Sequence, residues 1–472
     1  MQEKQEQLFR DMSVWKAIGK MAIPAMITIV VMIFYNMADM FFVGQLGDTA
    51  QVAAVSLVGP VFTLMMAIGT MTGGGGCVLI AKTLGEKDGE RVKLYSSLCC
   101  WGSVVFGILF TILILLFAES LLSLLGANED TWDHAKRYLV VLALGAPVMI
   151  FANSFGNIVR SEGAIKEGMI GNLFGTVVNI VLDPVFILVL KLGVGGAAIA
   201  TVLGNATASV CYILYIQKVS KNLTLNPIYA RKNPLEIRKI LVLGLPNMVN
   251  STLAGFAGAF ANQLLVQYGT NAVAAMAAAG KATMVISMIQ MGICMGVQPM
   301  LAYCYGDKNL ARIRETLTKL SVLTIAIGSA VTLLCLLNSQ TIIALFLKEE
   351  EALALGQEIV KLLVISGPFL GLFYIGTNFL QASGNALLST IVSALRQGIL
   401  LIPLLYVMNA LLGVTGNIAA HVISDTIAAL IAVGLALRQY RILKFSIRDS
   451  VPSANQFAPF ISRLKPTINS NS

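Results

Sequence analysis

The chain has 472 residues, of which 57% are apolar and only 12% charged, and its mean hydropathy is +0.79. Ordinary soluble chains carry about 25% charged residues, so this one lacks the polar surface to cover itself in water. That excludes water-soluble enzymes and binding modules, and the net charge of +9 needs an origin other than a nucleic-acid partner.

The amino terminus, MQEKQEQLFRDMSVWK, is polar and has no cleavable signal pattern, so the first apolar segment is expected to insert and stay. Twelve apolar stretches follow, near 16–44, 52–82, 94–117, 137–160, 168–190, 194–217, 240–267, 272–304, 318–347, 360–382, 387–411 and 414–437. Each reaches the roughly 20 residues that cross a bilayer core, and the longer ones include turns beyond it.

The loops between them alternate in charge. Of the 33 Lys and Arg, 26 fall on the side of the amino terminus, the 82–93, 218–239 and 308–319 loops, Arg160, Lys166 and the carboxyl tail. Five (Lys136, Arg137, Lys191, Lys348 and Lys361) fall on the other side, and Lys281 and Arg396 lie inside spans. The positive-inside rule then puts both termini in the cytoplasm and accounts for the +9; a plasma (inner) membrane is the expected location.

The sequence also repeats itself at a period near 221 residues. Pro24 and Met26 recur as Pro246 and Met248, Gly75 as Gly296, Lys87 and Arg91 as Lys308 and Arg312, and Pro147, Asn157 and Gly163 as Pro368, Asn378 and Gly384. LGVGGAAIA is answered by LGVTGNIAA. Six spans per half give both halves the same orientation, hence parallel repeats about an axis along the membrane normal. The fold class is an all-α polytopic membrane protein: twelve transmembrane helices as two six-helix lobes around a central cavity. The organisation reads as a segment 1–15, a first lobe 16–217, a linker 218–239, a second lobe 240–440 and a tail 441–472. Such an architecture suits a secondary transporter.

Soluble-enzyme chemistry is missing. Seven cysteines and two histidines follow no metal spacing or disulfide framework, and no catalytic arrangement stands out, so no enzyme activity, cofactor or resident metal is expected. TGGGGC at 72–77 lacks the Gly-Lys-Ser/Thr ending of a phosphate loop and reads as close helix packing or local unwinding.

Polar residues inside spans are costly and become the functional candidates. In the first half these are Asp39 and Asp183, with Asn36 three residues before the first and Asn179 four before the second, so each pair shares a helix face. At about 1.5 Å per residue, Asp39, Asp183 and Thr201 lie about 8, 12 and 10 Å from the outer ends of their spans. They can therefore converge in the first lobe, where oxygen-rich side chains suit Na⁺ or a shuttled proton. Pro184 leaves the carbonyl of Ile180 without its helical donor. The alternative is that each carboxylate hydrogen-bonds a neighbouring helix and is static.

The second half carries Lys281, Arg396, His421 and Asp425, each about ten residues into its span and near the midplane. A compensating network such as Arg396 with Asp425 is the plainest reading, with substrate contact or proton relay as the other. Met284, Met288, Met291 and Met295 recur at helical spacing, either as a soft ligand-facing stripe or as ordinary packing.

With those residues in view, the sequence resembles the MATE (multidrug and toxic compound extrusion) family. The likeness is carried by Pro24, Asp39 and FFVGQLG, by GEKDGER and GDKNLAR, and by RSEG, NIVLDP and GVGGAAIAT, over about residues 15–440. It implies two lobes in a V that export amphipathic, often cationic, small molecules through the bilayer in exchange for H⁺ or Na⁺. It also implies a cation site at Asp39, Asn179, Asp183 and Thr201, and bending of the first helix at Pro24. One departure matters: some NorM-like members carry acidic residues on the seventh and tenth spans, and 240–267 and 360–382 have none. The rival readings are a flippase for lipid-linked saccharides, from the wider superfamily, and a membrane enzyme; no obligatory protein partner is evident.

Overall fold

The structure, a computed structural model, describes residues 7–45, 48–347 and 349–450, with the side chains at 33–34, 36–40, 282 and 448–450 outside that description. The described residues are helical almost throughout, and no strand occurs among them.

Six long helices form the first lobe: α1 (Val14–Gly44), α2 (Thr49–Gly85), α3 (Gly89–Leu124), α4 (Glu129–Ser161), α5 (Ile165–Pro184) and α6 (Val194–Lys218). The second lobe repeats them as α7 (Ile237–Val266), α8 (Thr270–Gly306), α9 (Leu310–Leu337), α10 (350–382), α11 (386–412) and α12 (414–450). Asp48, Asp88, Asn128 and Asn309 each cap a helix by accepting from a backbone N–H of its first turn. Large apolar side chains such as Leu116, Leu124, Leu334 and Leu411 point outward, as a lipid-covered surface requires. The chain is a multi-pass membrane protein of twelve spans.

The repeat extends to individual backbone torsions. Lys87 and Lys308 end α2 and α8 in the left-handed region at φ 60° and 55°. Gly193 and Gly413 precede α6 and α12 at φ 60° and 62°, where the missing side chain removes the steric penalty. Gly413 thereby divides α11 from α12, which otherwise follow without a loop.

Both lobes interrupt their fifth helix with a π turn. In α5 it follows Pro184, whose missing N–H breaks the ladder; the next turn, Val185–Val189, widens so that Leu190 N–H donates to the Val185 carbonyl at 2.8 Å. In α11 it spans Leu395–Ile399 and carries Arg396.

The lobes meet at one end only. Where the basic loops lie, the apolar clusters cross between lobes: Val78, Cys99 and Phe155 pack with Ile240, Leu243 and Leu301, and Ile18 and Met21 with Ile293, Val297 and Met300. Towards the other end each cluster belongs to a single lobe, one around Val58, Leu139 and Ala197 and another around Ala275, Ile359 and Ile418.

Tight helix crossings seal the closed end. The four glycines of TGGGGC lie in unbroken helix, which resolves the choice between packing and unwinding. A Cβ on Gly75 would stand 1.9 Å from the Ile240 carbonyl oxygen, and one on Gly244 1.8 Å from that of Met71, so α2 and α7 touch backbone to backbone. Towards the opposite end, Gly255, Gly258 and Gly280 have no such neighbour within 4 Å.

The segment before α1 adds a clasp absent from the sequence-based reading. Phe9 is completely buried beside Tyr303, with ring centroids 5.2 Å apart, and Arg312 on α9 donates to the carbonyls of Leu8 (3.3 Å) and Met12 (2.7 Å). Leu8 and Phe9 also lie against Gly163 of the first lobe. This polar stretch thus ties the two lobes together at the closed end.

Candidate binding cavity and ion site

Between the lobes lies a cavity of about 510 Å³, walled by residues of α1, α2, α4, α5 and α6 and of α7, α8, α10 and α11. Its chemistry is dominated by amides: Asn153, Asn157, Asn172, Asn179 and Asn205 from the first lobe, and Asn247, Asn250, Asn378 and Gln381 from the second. Phe62, Met66, Met291, Met295 and Phe373 supply the apolar surface. Among the described lining residues Arg160 is the single charged side chain.

Helical spacing explains this concentration. Asn153, Asn157 and Arg160 lie on one face of α4, and Asn172, Thr176 and Asn179 on one face of α5. On α7 the amides follow Pro246, itself a lining residue.

Two of the residues expected to converge in the first lobe, Asn179 and Thr201, meet on this wall. Asn179 Nδ2 donates to Thr201 Oγ1 at 3.4 Å, and the Tyr35 hydroxyl lies 3.4 Å from the same oxygen. Asn205 Nδ2 donates to the Thr201 carbonyl at 2.8 Å, while Asn179 Oδ1 is buried without a hydrogen-bond partner among the described residues. Asp183 is fully buried one turn beyond Asn179. A carboxylate inside a bundle is stable when a proton, a cation or hydrogen bonds answer its charge. The side chains of Asn36 and Asp39, the other two members of the expected set, lie outside the described residues. Tyr35 was missed by the sequence reading, which weighed carboxylates and amides but not a phenol. Pro24 is buried within α1, which continues through it as one helix, and Thr28 Oγ1 donates to its carbonyl at 2.9 Å.

The second lobe handles its charges differently. Arg396 Nε donates to Asp425 Oδ1 at 2.7 Å, Ser424 Oγ donates to the Arg396 carbonyl at 2.7 Å, and the guanidinium carbon sits 4.7 Å from the Phe373 ring centre. Arg396 Nη1 reaches the Tyr374 hydroxyl at 3.5 Å. Phe373 and Tyr374 line the cavity, so this pair stands directly behind its wall. His421 lies one turn from Asp425, and its buried Nε2 makes no hydrogen bond among the described residues.

Two expectations need correction. Lys281 takes no part in this network: it is exposed on α8, with Nζ 5.8 Å from the Phe346 ring centre, because its long stem carries the charge off the helix. The methionine stripe also divides. Met291 and Met295 line the cavity, Met288 does not, and Met284 is 47% exposed on the far part of α8.

A profile described as MatE matches residues 24–185 and 246–407, one match per lobe. The multidrug export protein MepA of Staphylococcus saprophyticus is 32% identical over 435 residues, 92% of this chain and 96% of that protein, and MepA of Staphylococcus aureus is 31% identical over 434. Among solved structures, a MATE protein in the bent conformation superposes with a TM-score of 0.87 at 27% identity, covering 94% of this chain and 99% of that one. An outward-facing multidrug resistance MATE family transporter of the MOP superfamily superposes at 0.86 and 25% identity, covering 93% and 99%.

Proposed function

The chain belongs to the MATE family, and we propose that it is a cation-coupled antiporter that exports amphipathic organic compounds through the interlobe cavity by alternating access. The naming of the MepA relatives as multidrug export proteins supports the substrate class. On this reading the basic loops and both termini face the cytoplasm. The lobes, joined at the basic end and parted at the other, then present an outward-facing state.

The observation that carries the coupling assignment is the fully buried Asp183, one turn from the Asn179–Thr201 pair on the cavity wall. Asp39, Asn36, Asn179, Asp183 and Thr201 form the site at which H⁺ or Na⁺ enters from outside. Neutralising the carboxylates favours release of the exported compound on the same side. One charge moving through 100 mV releases about 2.3 kcal/mol, enough for roughly a fiftyfold gradient of a neutral compound.

Efflux of a fluorescent dye from energised cells tests the assignment. Asp39→Asn and Asp183→Asn should each abolish efflux while surface abundance stays at the wild-type level. Undiminished efflux by both variants would overturn it.

A further inference from the structure

The two lobes answer the same three positions in opposite ways. The 221-residue repeat that pairs Asn157 with Asn378 also pairs Cys77 with Gln298 and Arg160 with Gln381. In the second lobe these positions close on themselves. Gln298 Nε2 donates to Asn378 Oδ1 at 3.0 Å and to Gln381 Oε1 at 2.7 Å, and Gln381 Nε2 donates to the Leu243 carbonyl.

In the first lobe the bridging amide is gone. Cys77 offers only a buried thiol, and Asn157 Nδ2 turns back to the Asn153 carbonyl at 3.0 Å. The Arg160 side chain makes no hydrogen bond or ion pair among the described residues, and its Nε is buried without a partner there. It nevertheless lines the cavity at its closed end. Gly168 makes room for it: a Cβ there would stand 3.3 Å from Arg160 Cγ. A guanidinium held in a bundle without an acid is costly, so the arrangement leaves place for a negative charge that no described residue supplies.

We propose that Arg160 is the anion-receiving subsite of the cavity and takes the carboxylate, or a comparable oxyanion, of the exported compound. The planar fork of Arg matches a carboxylate with two parallel hydrogen bonds. Asn172 on the adjacent wall adds an amide, and Met291, Met295 and Phe373 face the organic body. The exported class then includes zwitterionic or acidic amphiphiles. This proposal rests on the reading of the cavity as the export pathway. A free inorganic anion has the same chemistry, and the test separates the two.

The test uses purified full-length protein in nanodiscs with two probes that share one ring system: rhodamine B, with its free carboxylate, and rhodamine B ethyl ester. Binding is read by fluorescence polarisation for wild type, Arg160→Gln and Arg160→Lys. Loss of a charge-assisted pair should weaken rhodamine B roughly tenfold or more in Arg160→Gln, with the ester unchanged and Arg160→Lys in between. Equal affinities in all three proteins, or equal loss of both probes, would overturn the proposal.

A second readout does not depend on dye recognition: the thermal midpoint with benzoate or with chloride alone. Benzoate should stabilise wild type and not Arg160→Gln. Stabilisation by chloride to the same extent would assign the site to a free inorganic anion and overturn its role in the export substrate. If wild type bound neither dye but kept the Arg160-dependent benzoate shift, the anion site would stand and the drug-export reading would fall. No anion effect in either protein would remove the site itself.

Discussion

Gly85 and Gly306 face each other across the pseudo-twofold axis that relates the lobes. A Cβ on Gly85 would lie 2.1 Å from the Tyr303 carbonyl oxygen, and a Cβ on Gly306 2.1 Å from that of Lys82. Lys82 and Tyr303 are themselves repeat mates, so one contact has been written twice. The ends of α2 and α8 cross where neither can carry a side chain. This crossing, with those at Gly75 and Gly244, makes the seal at the basic end.

Alanine at either position should open that end. Overpacking costs about 1–3 kcal/mol, and here the obstruction is backbone that cannot rotate away. Gly85→Ala and Gly306→Ala should each shift the closed population by roughly five- to a hundredfold. Spin labels on Glu90→Cys and Arg314→Cys, with the native cysteines replaced, should show a longer distance component in each variant. An unchanged distance distribution would show that the helices accommodate the methyl.

The clasp before α1 should act on the same equilibrium. Phe9→Ala removes a completely buried ring, a loss of about 3 kcal/mol or more, and Arg312→Gln frees the carbonyls of Leu8 and Met12. Both should speed hydrogen exchange over residues 7–15 and lengthen the same spin-label distance. Faster exchange without a change in distance would make the clasp a local packing element only.

Arg396 and Asp425 form a buried pair, 7% and 17% exposed in their side chains. Arg396→Met leaves the carboxylate without its counter-charge and should cost about 3–5 kcal/mol, and Asp425→Leu should cost a similar amount. The double variant should recover most of the loss, because two apolar residues replace the pair without stranding either charge. Thermal midpoints in detergent measure all three, and a double variant as unstable as the singles would contradict this account.

Glu162 should make the linker between the lobes pH-sensitive. It is 5% exposed, and burial raises its pKa above the usual carboxylate range, against the hydrogen bonds it accepts from Tyr215 (2.7 Å), Ser220 (3.0 Å) and Asn222 (3.3 Å). A carboxyl whose folded pKa is raised binds protons more tightly in the folded state. Its stabilising effect is therefore present below the unfolded value, about 4.3, and is lost as pH rises through the raised value. Protection from exchange over 219–226, taken relative to the intrinsic rate at each pH, should fall across that interval in wild type and stay flat in Glu162→Gln. The same fall in the variant would assign the effect to another group.

The sequence made the architecture legible because a bilayer imposes long apolar runs and a one-sided charge pattern. The repeat could be aligned because matched turns need matched residues, Gly193 with Gly413 and Gly163 with Gly384. The Asn179–Thr201 contact was within reach of helix spacing and depth. Three features were not. Arg160 reads as a loop charge, since it ends a span, and only the packing of α4 against α5 turns it into the cavity. Arg312 aligns with Arg91, which is exposed beside Asp88, yet the clasp buries Arg312. Lys281 has midplane depth by count, but depth along a helix says nothing of which side the residue faces.

On the proposed function, a cation bound in the first lobe drives export through the cavity between the lobes. Dye efflux from vesicles under an imposed pH or Na⁺ gradient, one at a time, tests it most directly, with wild type, Asp183→Asn and the Arg396→Met/Asp425→Leu double variant compared. The account predicts gradient-driven transport by wild type and by the double variant, and none by Asp183→Asn, which should still bind the dye. Gradient-driven transport by Asp183→Asn at the wild-type rate would contradict it.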